Sequence, residues 1–236
     1  MSLRLAFDLD GVLADMESEL VRQATALFGD TVTRSSRARP RRDAAHHASV
    51  PPERAATLRL TVRQEQQLWR DIRASHGFWE LLREIEPGSV ARLAALAHAR
   101  RWEVIFLTQR PDTAGATPQV QTQRWLDAKG FALPSVFVVK GSRGRVAAAL
   151  DLDFVVDDRP ENCVDVTAHS HARAVLVWRD ETTDVPIAAK RPGVLVVKSV
   201  NECLDGLSDI GLSGRARPSF VGRLARRLGF GKPARA

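Results

Sequence analysis

Asp8 to Asp15 reads DLDGVLAD, directly after the apolar run Leu3 to Phe7. A short run of this kind is expected to be a buried strand, and here it ends in two carboxylates one residue apart. The twofold period of a strand puts Asp8 and Asp10 on one side while the chain stays extended. Gly11 then permits a sharp turn. Paired carboxylates are hard oxygen ligands suited to Mg²⁺. They can also divide the work of nucleophile and proton donor.

Four further runs repeat the pattern. Arg101 to Thr108 (RWEVIFLT) ends in a hydroxyl, and Ser135 to Lys140 (SVFVVK) ends in an ammonium, with Arg143 and Arg145 just behind. Asp153 to Asp158 (DFVVDD) ends in two adjacent acids, which repel and call for a cation between them. Ala172 to Trp178 (ARAVLVW) is the fifth. Helical segments fall between them: Ser89 to Ala99, Pro118 to Lys129 with Gly130 as a stop signal, Arg145 to Leu150, and Glu161 to His169. Strands alternating with helices predict a doubly wound α/β fold with a parallel sheet. Ligands in such sheets bind at the carboxyl ends of the strands. Asp8, Asp10, Thr108, Lys140, Asp157 and Asp158 all fall there.

Two helical stretches, Met16 to Phe28 and Glu53 to Ser75, follow the first strand with no strand between them. They predict a helical cap over residues 16–86, inserted into a core of residues 1–15 and 87–212. Thr33 to Pro52, rich in Arg, Ser, Ala and Pro, is expected to be a flexible loop within that cap. His46 and His47 lie in it without acidic or thiol neighbours and read as solvated.

The chain has 236 residues and a net charge of +7, yet Gly214 to Ala236 alone carries seven basic residues and no acid. The body is therefore near neutral, which argues against nucleic acid as a partner. The tail, residues 213–236, contains FVGRLARRLGF at Phe220 to Phe230. Its apolar and basic faces fit an anionic membrane surface or an acidic partner, while its glycines and Pro233 equally fit a solvated terminus. Cys163 and Cys203 form no CxxC pair, and a reducing cytoplasm is expected. Cys163 reads as a small buried residue.

The four strand-end motifs together, from Leu3 to Trp178, resemble the haloacid dehalogenase superfamily of aspartate-nucleophile phosphatases. Within it, DLDGVLAD, HGFWELL…EPGSVARLAAL and VVDDRPENC resemble the 5′(3′)-deoxyribonucleotidase group. The resemblance implies Mg²⁺-dependent hydrolysis of a small phosphomonoester, such as a (deoxy)nucleoside monophosphate, through an aspartyl-phosphate. Asp8 would be the nucleophile and Asp10 the acid and base. Mg²⁺ would be held by the Asp8 carboxylate, the Asp10 carbonyl, Asp157 and Asp158. Thr108 and Lys140 would hold the phosphate. The family's basic residue often stands about fourteen positions before the paired acids, which here is Arg143. Lys140 is preferred because it ends the strand, with Arg143 and Arg145 as alternatives. Phe78 and Trp79 are candidate base-stacking residues, against which stands a role in the cap core. A phosphotransferase using the same site, and a non-catalytic binding protein acting through its tail, are the competing functions.

Overall fold

The computed structural model describes residues 2–29, 58–180 and 183–212. The expected loop at Thr33 to Pro52, with His46 and His47, and the basic tail lie outside the described residues.

Six parallel strands form one sheet: β1 (Arg4–Asp8), β2 (Glu103–Thr108), β3 (Ser135–Val138), β4 (Phe154–Asp157), β5 (Arg173–Val177) and β6 (Val194–Val197), in the order β3-β2-β1-β4-β5-β6. Seven α-helices are described: α1 (Met16–Phe28), α2 (Val62–Ala74), α3 (Ser89–Arg100), α4 (Pro118–Ala128), α5 (Arg143–Ala149), α6 (Pro160–His169) and α7 (Val200–Leu212). The doubly wound α/β architecture expected from the sequence is present.

Strand alternation explains the two layers of helices. Leu5, Phe7, Phe106, Phe154, Val156, Val175 and Val177 share one apolar cluster with residues of α3, α4 and α7. Their neighbours Ala6, Leu107, Val155, Ala174 and Leu176 form a second cluster with Ala147 of α5 and Cys163 and Val166 of α6. Strands β1, β2, β4 and β5 are thus apolar on both faces, as a sheet covered on both sides requires. Among the described residues no helix is long and apolar enough to cross a membrane.

The structure corrects the element reading in three places. A sixth strand, β6, and the following α7 were not anticipated. Residues 53–57 of the expected helix lie outside the described residues; residues 58–61 are not helical, and α2 starts at Val62, because Thr61 and Gln64 form a reciprocal capping box that defines the first turn. Strand β3 stops at Val138, two residues before Lys140, and α5 begins at Arg143 under a cap from Ser142.

Helices α1 and α2 pack against one another. Their buried Leu20, Ala24, Leu68 and Ile72 belong to the larger apolar cluster. The two connections between these helices and the sheet run side by side. Ile85 donates to the Leu13 carbonyl at 2.9 Å, and Asp15 donates to that of Arg83 at 2.8 Å.

Candidate active site

Asp8 is the last residue of β1, and burial of the strand on both faces leaves its side chain one direction, out of the carboxyl end. The backbone then turns tightly: the amides of Leu13 and Ala14 both donate to the Leu9 carbonyl, at 2.9 and 2.7 Å. Gly11 makes this turn possible at φ 86°, in the left-handed region that side chains disfavour. Asp10 stands in the turn, half-buried. Arg179 braces it by donating to the carbonyls of Gly11 (2.7 Å) and Val12 (3.1 Å) and to Glu86 (2.6 Å). Burial opposes ionisation of Glu86, but Arg179 and the amides of Asn201 and Val200 together hold its carboxyl below the usual range.

Strands β2, β1 and β4 are adjacent. Their carboxyl ends bring Thr108, Asp8 and Asp157 to one edge, and all three are buried. Thr108 Oγ1 accepts the Arg110 amide at 3.3 Å, which leaves its own hydrogen to donate elsewhere. Asp157 accepts from the Arg159 amide (2.9 Å) and from Asn162 Nδ2 (3.1 and 2.9 Å). Burial pushes the Asp157 carboxyl above the usual range, opposed first by the charge of Arg143 and then by these donors. Asp158 lies just past the strand, partly buried.

Arg143 is the cation at this edge. Its guanidinium is 2% exposed, with Nη2 2.6 Å from Asp8 Oδ1 and Nε 3.9 Å from Asp157 Oδ2. Both Nε and Nη1 are buried without a hydrogen-bond partner. Lys140 and Arg145 are exposed. The preference for Lys140 is therefore corrected: β3 ends before it, and the Ser142 cap turns the chain so that Arg143 enters the site. The helix that carries Arg143 is held tightly. Ser142 Oγ (2.8 Å) and the Gly144 amide (2.8 Å) both donate to Asp165 Oδ2 on α6. A Cβ on Gly144 would lie 2.3 Å from the Asp165 carbonyl oxygen. Gly144→Ala is expected to cost about 1–3 kcal/mol in denaturant unfolding through overpacking. Unchanged stability would show that α5 shifts freely.

Phe78 and Trp79 correct the base-stacking expectation. Both are fully buried, in an edge-to-face pair 4.8 Å apart. Trp79 Nε1 donates to the Pro111 carbonyl at 3.1 Å, and its amide to Gln121 Oε1 at 3.1 Å. Neither ring has a face left for a ligand. Trp69 is half-buried against the same cluster. Cys163 and Cys203 are free and buried, and burial raises both thiols far from the nucleophilic range.

The residue that the sequence reading passed over is Arg110, two positions after the run RWEVIFLT. Its side chain is fully buried. Nε lies 3.2 and 3.0 Å from the two oxygens of Asp10, and Nη2 lies 2.8 Å from Oδ1. Its only sequence signal was an arginine two positions beyond a strand-ending hydroxyl.

No protein-family model matches the chain, and no curated protein sequence matches it. Solved structures do. A haloacid dehalogenase family hydrolase from Deinococcus radiodurans, with bound phosphate and sodium, is 16% identical with a TM-score of 0.55; the match covers 91% of this chain and 99% of that one. A hydrolase from Pseudomonas syringae is 16% identical with a TM-score of 0.50, covering 89% of this chain and 99% of that one. At such identity the likeness is one of fold: the chain has the α/β fold of the haloacid dehalogenase-like hydrolases.

Proposed function

We propose that this chain hydrolyses a small phosphomonoester through a phosphorylated Asp8. The observation that carries the reading is Arg143: a buried guanidinium that binds Asp8 through one nitrogen and has two further buried nitrogens without an acceptor. A buried donor left unmade is costly, and a phosphoryl oxygen is the acceptor that suits a guanidinium best.

In this reading Asp8 Oδ attacks phosphorus while Arg143 and the Thr108 hydroxyl hold the phosphoryl oxygens. Asp10 protonates the leaving oxygen and then removes a proton from the water that cleaves the acyl-phosphate.

The donor set fits Mg²⁺. Asp8 and Asp157 present hard oxygens from adjacent strands, and a buried carboxylate such as Asp157 favours a cation beside it. Among the described residues no group of three or more His, Cys, Asp or Glu could hold a metal. Mg²⁺ is commonly bound by one or two carboxylates and completed by phosphate and water. Asp8 and Asp157, the two buried carboxylates at this edge, would hold it together with the Asp10 carbonyl; Asp158, expected as a third carboxylate, does not form a three-acid group with them. Bound there, Mg²⁺ supplies charge neutralisation at the phosphoryl group.

With Phe78 and Trp79 buried, a nucleotide preference rests on the resemblance of DLDGVLAD, Gly77 to Leu96 and VVDDRPENC alone. The proposal is therefore kept at the class of small phosphomonoesters. The test is a panel of nucleoside monophosphates, sugar phosphates and 4-nitrophenyl phosphate, each with Mg²⁺ and with a chelator. Turnover of at least one ester that requires Mg²⁺ is expected. Mg²⁺ is also expected to raise the melting temperature, by mass action on the native state. The shift should vanish in the Asp157→Ala, Asp158→Ala double variant. An inert protein whose melting temperature ignores Mg²⁺ would sink the reading.

A further inference from the structure

We propose that Arg110 is a positioning residue for proton transfer by Asp10. The inference rests on the phosphatase reading above and deepens it.

Four observations carry it. First, the guanidinium grips Asp10 as a fork. Nε and Nη2 both reach Oδ1, at 3.2 and 2.8 Å, while Oδ2 receives Nε alone, at 3.0 Å. Two nitrogens on one carboxyl group fix its plane as well as its place. Second, the fork is itself immobilised. Nη1 donates to Thr122 Oγ1 on α4 at 2.8 Å. The guanidinium carbon also lies 4.9 Å from the centre of the Trp79 ring, a cation–π distance. Third, Arg110 is fully buried, so its charge is balanced by groups inside the protein and not by water. Fourth, its own amide donates to Thr108 Oγ1 at 3.3 Å. One residue thus orients both the proposed acid and the proposed phosphate-binding hydroxyl.

The loop that carries Arg110 also reaches the cap helices. The Ala114 amide donates to the Arg73 carbonyl of α2 at 2.8 Å. Gln121 holds the loop from the other side, donating to Thr113 Oγ1 and the Ala116 carbonyl at 2.8 and 2.6 Å. Asp10 sits in a turn outside regular structure, so its carboxyl group needs an external brace to hold a reactive geometry. Arg110 is that brace.

The chemistry states what is at stake. As the Asp8 Oδ–P bond forms, the P–O bond to the leaving group breaks and its electron pair stays on the leaving oxygen. An alkoxide leaving group needs a proton at that moment, and the Asp10 carboxyl supplies it. A nitrophenolate is stable as an anion and leaves without one. Misplacing Asp10 therefore slows cleavage of alkyl phosphates and spares that of 4-nitrophenyl phosphate. A general loss of packing slows both alike.

The experiment measures kcat/KM, which ends at release of the leaving group, for an alkyl phosphate and for 4-nitrophenyl phosphate in wild type, Arg110→Gln, Arg110→Lys and Thr122→Val. Arg110→Gln is expected to lose about 10²–10⁴-fold on the alkyl ester, the range of a general acid, and less than about threefold on the aryl ester. Arg110→Lys keeps the charge but not the fork and is expected to lose selectively on the alkyl ester as well. Thr122→Val frees Nη1 without touching the charge and is expected to show a smaller loss in the same direction. It also serves should Arg110→Gln fail to fold, a point that thermal melts decide. Equal losses on both esters, or no loss on either, overturn the inference. Asp8→Asn is the control: activity that survives it overturns the phosphatase reading itself, whereas activity abolished by it with unselective Arg110 variants overturns only the positioning role.

Discussion

Asp8→Asn is expected to abolish phosphate-ester turnover while the protein stays folded. The loss expected on removal of a nucleophile is on the order of 10⁴–10⁶-fold in kcat. The substitution separates chemistry from structure well at this position. The amide is nearly isosteric with the carboxylate, and its oxygen can still accept the Arg143 Nη2 proton that Asp8 Oδ1 accepts at 2.6 Å. What it lacks is the anionic oxygen that, in the proposed mechanism, forms the bond to phosphorus. A second readout makes the test specific to the covalent route. Acid-quenched wild-type protein, sampled during turnover, should carry a phosphoryl group on the peptide that contains Asp8, and the variant should not. Retention of turnover in a folded Asp8→Asn protein would remove the covalent mechanism. Turnover lost without any phosphorylated peptide in the wild type would move Asp8 from nucleophile to ligand.

The layout of this site was readable in the sequence because buried parallel strands are short apolar runs, and each run here stops at a residue that apolar packing does not explain. Asp8, Thr108 and Asp157 were expected at strand ends for that reason, and each terminates a strand. Strand β6 and α7 escaped because nothing marks their ends: Val194–Val197 is only four residues long, and α7 carries Gly206 and Gly211, which weaken its helical pattern. The choice between Lys140 and Arg143 turned on where a strand stops. An apolar run that continues through Val139 hides the fact that Ser142 already caps the next helix. Phe78 and Trp79 form one short 3₁₀ turn with no period to say which way a ring faces. The Arg110–Asp10 pair joins residues 100 positions apart, and no local pattern reports a contact of that kind. Within the candidate site, what remained illegible was tertiary: which cation folds inward, and onto which acid.

Arg143→Ala is expected to have the second large effect, and it should combine lost activity with a stability defect that depends on pH. Removing one donor aimed at a phosphoryl oxygen in a buried site costs about 10²–10³-fold in kcat. Arg143 is buried between two acids, so its loss also leaves Asp8 and Asp157 facing one another without it. Breaking a buried ion pair from one side destabilises by about 3–5 kcal/mol. The pH dependence follows from Asp157. Its carboxyl group already stands above the usual range in the folded protein, raised by burial and held back by Arg143. The folded state therefore binds this proton more readily than the unfolded state does. Stability from this group is fully present below the unfolded value and is lost as pH rises through the folded value. Without Arg143 the folded value moves higher still. The window of loss then extends upward, and the deficit against wild type grows with rising pH across it. Urea unfolding of both proteins from mild acid to neutral pH, without Mg²⁺, measures the difference directly. Adding Asp157→Asn to Arg143→Ala should flatten the dependence and recover stability near neutrality, because the amide carries no charge to bury. A deficit that stays constant with pH, and that Asp157→Asn does not relieve, would mean that Arg143 serves the fold through packing and not by holding the two carboxylates.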